Sequence, residues 1–104
     1  DMHFIGIKDC FIDVTTLNPA IIYNGHKIEQ QFDAVIPRIR PAITFFGMAV
    51  LRQFEIQGSY CLNVPVAIGR ARDKLRTLQM LCGKSIDVPR TVFAGSPIHT
   101  KDMI

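Results

Sequence analysis

At 104 residues, with 48% hydrophobic and 20% charged side chains, the chain has room for one domain, or for one domain and the start of another, and its composition argues against disorder. The formal net charge of +3 is spread along the sequence except for a run at 70–76. It suits a weak attraction to anionic ligands and not a nucleic-acid arm. Three cysteines, Cys10, Cys61 and Cys82, show no CxxC spacing and no histidine close by. They read as small apolar residues in a reducing cytoplasm, against a disulfide framework or a zinc site.

In chain order, residues 2–7 form a short apolar run that predicts a strand, and residues 10–14 mix aromatic and β-branched side chains to the same effect. A break at Thr15, Thr16, Asn18 and Pro19 follows. The stretch 21–28 carries Asn24-Gly25 between two apolar arms, the pairing that a type I′ hairpin turn demands. Residues 32–37 predict a strand whose apolar centre, 34–36, suits burial on both faces in a parallel sheet.

Pro41 then opens a helix over about 42–57, closed by Gly58. Ile43, Phe46, Val50 and Phe54 fall on one apolar face, widened by Phe45, Met48, Ala49 and Leu51, which marks core or a subunit interface. The apolar run at 42–51 is too short for the roughly 20 residues of a bilayer span. No charged-then-apolar leader opens the chain, and Asp1 in place of a methionine hints at an N-terminus further upstream.

A strand is expected at 59–62, with Asn63 as N-cap of a second helix and Pro65 in its first turn. Ile68, Ala71, Leu75, Leu78 and Cys82 repeat at helical spacing up to Gly83, while Arg70, Arg72, Asp73, Lys74, Arg76 and Gln79 lie mostly off that stripe. A Pro-marked turn at Pro89, a strand at 90–94 and a helix start at Ser96-Pro97 complete the reading. Strands alternating with helices predict an α/β fold.

No self-sufficient active site is visible. The glycines are too dispersed for a dinucleotide fingerprint or a phosphate loop, glutamate occurs only at Glu29 and Glu55, and neither a Ser-His-Asp nor a Cys-His constellation is present. Lys74, beside Asp73, could aim an ammonium at a phosphate, or could simply sit on a solvated helix face. Arg38 lies just past the C-terminal end of the expected parallel strand, where open α/β sheets gather ligands. Its guanidinium suits carboxylate or phosphate, and the alternative is a surface arginine in a Pro-flanked loop. Asn63 is either a cap or a ligand contact, and Gly58 either a helix stop or a point of close ligand approach.

Together, FDAVIPRI at 32–39, AITF at 42–45, LRQFE at 51–55, GSY at 58–60, LN at 62–63, VAI at 66–68, RARDKLR at 70–76 and IDVP at 86–89 resemble the RimK family of ATP-grasp ligases. The resemblance runs from about residue 12 to the end and is dense after Phe32. It implies a Rossmann-like pre-ATP-grasp domain with a mixed or parallel sheet at 1–66, lacking its first strand and helix. At 67–104 it implies the linker helix and first strand of an ATP-grasp domain. Such enzymes use ATP with magnesium or manganese to make an acyl phosphate that an amine attacks. The name-giving member adds glutamate to the C-terminal tail of a small-subunit ribosomal protein.

By the resemblance, Lys74 matches a position near ATP phosphates, and Arg38 and Asn63 match positions facing the substrate cleft. No catalytic residue and no metal ligand of the family falls within the chain, so the expectation is a cytoplasmic ligase whose N-terminal portion is inactive alone and binds neither ATP nor metal. Neither a membrane nor a nucleic acid is an expected partner. An unpaired strand edge, left by the missing first strand, predicts a homo-oligomer. The alternative is a non-catalytic interaction or oligomerisation module that binds an acidic protein tail.

Overall fold

A computed structural model describes residues 1–96, and the chain falls into two compact units, Asp1–Arg72 and Asp73–Ile104. In the first unit, β1 (Cys10–Asp13), β2 (Ala20–Tyr23) and β3 (His26–Lys27) form an antiparallel meander in that order. Cys10 stands opposite Tyr23 and Asp13 opposite Ala20. The β2–β3 turn is the expected hairpin: Asn24 and Gly25 take φ of 50° and 79°, the left-handed pair that lets Tyr23 face His26.

Residues 2–7 do not form the expected strand. They run without ladder partners into a 3-10 turn at Ile7–Asp9, and only their odd side is covered, Ile5 and Ile7 resting on the core while Phe4 is 88% exposed. Strand propensity acts only where a neighbouring edge is on offer, and none pairs with this segment.

The second sheet is a βαβ unit. β4 (Ala34–Val35) and β5 (Tyr60–Cys61) lie parallel with Ala34 opposite Tyr60, extended by Tyr60 N–H to the Asp33 carbonyl at 2.9 Å and Leu62 N–H to the Val35 carbonyl at 3.0 Å. Between them run a 3-10 turn at Pro41–Ile43 and the helix α1 (Thr44–Ile56). The expectation of burial on both faces fails for β4. Ala34 is exposed and Ile36 is 68% exposed, because α1 covers one face of this two-stranded sheet and, among the described residues, no second layer covers the other.

On α1 the buried stripe is Gly47, Val50, Leu51 and Phe54, with Gln53 beside it, rotated from the expected one. Phe46 is partly exposed, and Ile43 is only half-buried. Gly47 is the reason: a glycine reads as neutral in a hydrophobic pattern, yet it receives the side chain of Ile39. Gly58 stops the helix as expected. It takes φ of +95°, and the amides of Gly58 and Ser59 return to the carbonyls of Glu55 and Phe54. The core joins Cys10, Ile21, Ile39, Val50, Leu51, Phe54 and Cys61, with Phe32 edge-on to Phe54 at a centroid distance of 6.0 Å.

The expected single helix after residue 63 is two. α2 (Pro65–Arg72) closes the first unit and α3 (Lys74–Gly83) belongs to the second. Asp73 interrupts them in an extended conformation, φ −88° and ψ 94°, and its carboxylate accepts from the Arg76 amide at 3.0 Å. A short acidic side chain competes with a helix interior and serves better as a cap. Asn63 is not the cap of α2. The Val64 carbonyl accepts from the amides of Ala67 and Ile68, which puts Asn63 one residue further out, at φ +67°.

In the second unit no residue of α3 is buried; Leu75, Leu78 and Leu81 are half-covered, and Cys82 is exposed rather than part of an apolar stripe. Past Gly83 the chain turns through Ser85 at φ 58°. The expected strand at 90–94 is irregular, with no ladder among the described residues. The helix expected from Ser96-Pro97 lies outside the described residues.

Candidate anion-facing cleft beside the parallel strands

The site grows from the end of β4. Ile36 and Pro37 carry the chain past the strand, and Arg38 follows, exposed, without a hydrogen-bond or ion-pair partner among the described residues. Ile39 then turns inward and is buried, and Arg40 turns out again. This in-and-out alternation places two guanidinium groups on the rim of a cleft of about 610 Å³ whose floor is the α1 face of Gly47, Val50, Leu51 and Phe54. Its opposite wall is the segment 1–10. The lining also carries Lys8 and the carboxylates of Asp1 and Asp9 on the far wall, so the cationic side of the cleft is the one that Arg38 and Arg40 form, where a guanidinium suits a carboxylate.

Asn63 follows the end of β5 as Arg38 follows the end of β4, and because the strands are parallel both lie at the same carboxyl edge of the sheet. Asn63 does not line the cleft that Arg38 lines. Lys74 is the first residue of α3, in the second unit, where the Asp73 carboxylate already accepts from the helix N-terminus. Among the described residues no group of His, Cys, Asp and Glu is placed to hold a metal ion, and the dispersed glycines build no phosphate cradle.

Two thiols belong to the core. Cys10 and Cys61 are buried, and burial pushes both thiols above their ordinary range, aided by the neighbouring charges of Asp9 and Glu55 respectively. A thiol kept protonated is a poor nucleophile.

The sequence reading missed Arg72. Its spacing sets it off the apolar stripe, and the residue is exposed, yet its guanidinium donates to Thr44 Oγ1 at 2.8 Å and to the Ile39 carbonyl. Thr44 Oγ1 in turn donates to the Pro41 carbonyl at 2.7 Å. It also missed Gln53, whose buried amide ties α1 to the meander. Only the polarity of Gln53 beside an apolar stripe hinted at this. Nothing local signals Arg72, since its acceptors are about 30 residues away in sequence.

Residues 1–68 match the RimK pre-ATP-grasp domain family. The chain is 55% identical over its whole length to a protein of Maridesulfovibrio salexigens named a probable alpha-L-glutamate ligase, covering 34% of that protein. It is 56% identical over 98% of its length to one of the same name from Serratia proteamaculans, and 54% identical over 98% to one from Vibrio parahaemolyticus, covering 35% of each. The chain thus spans about a third of the length of the curated relatives it matches. No helix among the described residues is long and apolar enough to cross a membrane. With its βαβ unit, its matched residues 1–68 and its likeness to proteins named as probable alpha-L-glutamate ligases, the chain belongs to the RimK pre-ATP-grasp family.

Proposed function

We propose that this chain is the substrate-orienting N-terminal portion of an ATP-dependent glutamate ligase and is inactive by itself. The observation that carries the reading is an unpartnered Arg38 at the carboxyl end of a parallel strand, on the rim of an apolar-floored cleft, in a chain whose relatives are named glutamate ligases. In the parent enzyme, ATP with magnesium or manganese would activate a carboxylate as an acyl phosphate for attack by the glutamate amine. The acceptor would be the acidic C-terminal tail of a small-subunit ribosomal protein, in the cytoplasm. Arg38 holds a carboxylate of substrate or tail, Asn63 adds a polar contact at the same sheet edge, and Lys74 lends a positive charge toward the ATP phosphates.

Calorimetric titration of the purified chain tests this. Magnesium-ATP gives no heat of binding and no turnover, whereas hexaglutamate binds and Arg38→Ala weakens that binding roughly tenfold, about 1.4 kcal/mol. ATP hydrolysis by the chain alone would sink the proposal.

A second reading, a self-associating module, is favoured by one observation. Among the described residues the edge of β4 that faces away from β5 has no ladder partner, and neither does the segment 2–7, yet both border the same cleft. Unpaired edges beside exposed apolar side chains such as Phe4 and Ile36 invite pairing with another copy. Sedimentation would then show a dimer that Phe4→Lys dissociates. A wild-type chain that sediments as a monomer at high micromolar concentration removes this reading.

A further inference from the structure

Resting on the reading of Arg38 as the carboxylate-facing group, we infer that Arg72 is the residue that positions it, by latching the loop between β4 and α1. The loop is fixed at its start, where the Val35 carbonyl pairs with the Leu62 amide. It is fixed again at Ile39, twice over. The Ile39 side chain is buried against Gly47, and its carbonyl accepts from the Arg72 guanidinium. The other arm of the same guanidinium reaches Thr44 Oγ1, which donates onward to the Pro41 carbonyl, so one planar group brackets the whole 3-10 turn Pro41–Ile43.

Arg38 therefore stands next to an anchored carbonyl, and only Ile36 and Pro37 separate it from the end of the strand. Pro37 restricts that short span further, since its ring fixes its own φ and biases Ile36 toward extended backbone. A guanidinium suits this task where an ammonium does not, because its two donors diverge in a fixed plane and meet two acceptors at once. Arg72 touches no ligand; it acts through Ile39.

The consequence is measurable in the loop itself. The Ile43 amide, which donates to the Arg40 carbonyl at 3.1 Å, and the Thr44 amide, which donates to Pro41, both report the bracketed turn. The Ile28 amide, donating to the Ile21 carbonyl at 2.8 Å, reports the distant meander. Hydrogen exchange and hexaglutamate titration of wild type, Arg72→Ala, Arg72→Lys, Thr44→Val and Thr44→Ser decide it. Arg72→Ala is expected to speed exchange at Ile43 and Thr44 tenfold or more, leave Ile28 unchanged, and weaken hexaglutamate binding fivefold or more. Arg72→Lys, which can satisfy one acceptor, and Thr44→Val fall between, while Thr44→Ser matches wild type.

Equal acceleration at Ile28, or unchanged exchange at Ile43 and Thr44, overturns the latch. Binding that Arg38→Ala abolishes but Arg72→Ala leaves intact overturns the positioning role alone. A wild-type chain that ignores hexaglutamate overturns the Arg38 reading itself, and the role of Arg72 toward it falls with that reading. Should Arg72→Ala not fold, Arg72→Lys and Thr44→Val carry the same comparison.

Discussion

Ile39 occupies the space that a side chain at Gly47 would need: a Cβ there would lie 2.5 Å from Ile39 Cγ2 and 3.0 Å from Cγ1. Ile39 is itself buried, so it has little room to yield. Alanine would raise the helix propensity of α1 by about 1 kcal/mol, but overpacking of a buried contact costs roughly 1–3 kcal/mol. Gly47→Ala is therefore expected to destabilise by about 1 kcal/mol net in urea unfolding. The same change in an Ile39→Ala background should cost nothing or stabilise, because the clash has been removed. Additive effects would mean that the two residues do not touch.

Gln53 is expected to act as a polar rivet. Only 3% exposed, it donates from Nε2 to the Asp13 carbonyl at 2.9 Å and to the Ala20 carbonyl at 3.2 Å, the paired residues that end the β1–β2 ladder. Gln53→Leu keeps the volume and strips both carbonyls of their donor, which costs roughly 2 kcal/mol. Gln57, one turn on and only half-buried, donates to the Pro19 carbonyl at 2.8 Å. Its alanine variant should cost less than about 1 kcal/mol, the more so because water can replace the lost donor. Chemical denaturation of the two single variants checks the ranking.

The ends of α1 and α3 share one hydrogen-bond pattern and invite opposite substitutions. In α1 the Ser59 amide returns to Phe54 and the Gly58 amide to Glu55; in α3 the Ile86 amide returns to Leu81 and the Ser85 amide to Cys82. The left-handed residue is Gly58 in the first and Ser85 in the second. Gly58→Ala is expected to cost about 1 kcal/mol, because a Cβ is disfavoured at that φ. Ser85→Gly relieves the same penalty and should stabilise the end of α3 by several tenths of a kcal/mol. Slower exchange of the Ile86 amide in Ser85→Gly, and faster exchange of Ser59 in Gly58→Ala, are the readouts.

These contrasts mark where local sequence carries structure and where it does not. The Asn24-Gly25 turn, Pro41 at the head of the α1 segment and Gly58 at its end are written in residues whose backbone preferences act alone, and each stands where the pattern puts it. The strands expected at 2–7 and 90–94 have suitable side chains, but a strand exists only with a partner. The stripe on α1 shifts because Gly47 counts for nothing in a hydrophobic pattern and for much in packing. Asp73 breaks a helix that periodicity alone would continue. The place of Arg38 past β4 is legible because it is a local fact; the contacts of Arg72 are not, because its acceptors, Ile39 and Thr44, come near only in the fold.

The thiols give a pH dependence of definite sign. In the folded chain Cys10 Sγ donates to the Gly6 carbonyl at 3.4 Å and Cys61 Sγ to the Leu51 carbonyl at 3.7 Å, contacts that a thiolate cannot make. Burial first, then the charge of Asp9 beside Cys10 and of Glu55 beside Cys61, holds both groups protonated beyond the ordinary thiol value of about 9. Well below that pH the folded and unfolded thiols are both largely protonated, and their contribution to stability is fully present. As pH rises, the unfolded thiols lose protons first, so stability falls, with a limiting slope of about 1.4 kcal/mol per pH unit for each thiol until its folded value is passed. The urea midpoint should thus show no thiol-dependent change from pH 7 to 8 and fall above 9, and Cys61→Ala should flatten that alkaline fall while lowering the whole curve through its cavity. At pH 8 iodoacetamide should modify exposed Cys82 in the native chain and spare Cys10 and Cys61 until urea is added. Rapid native labelling of all three would contradict the burial on which the slope depends.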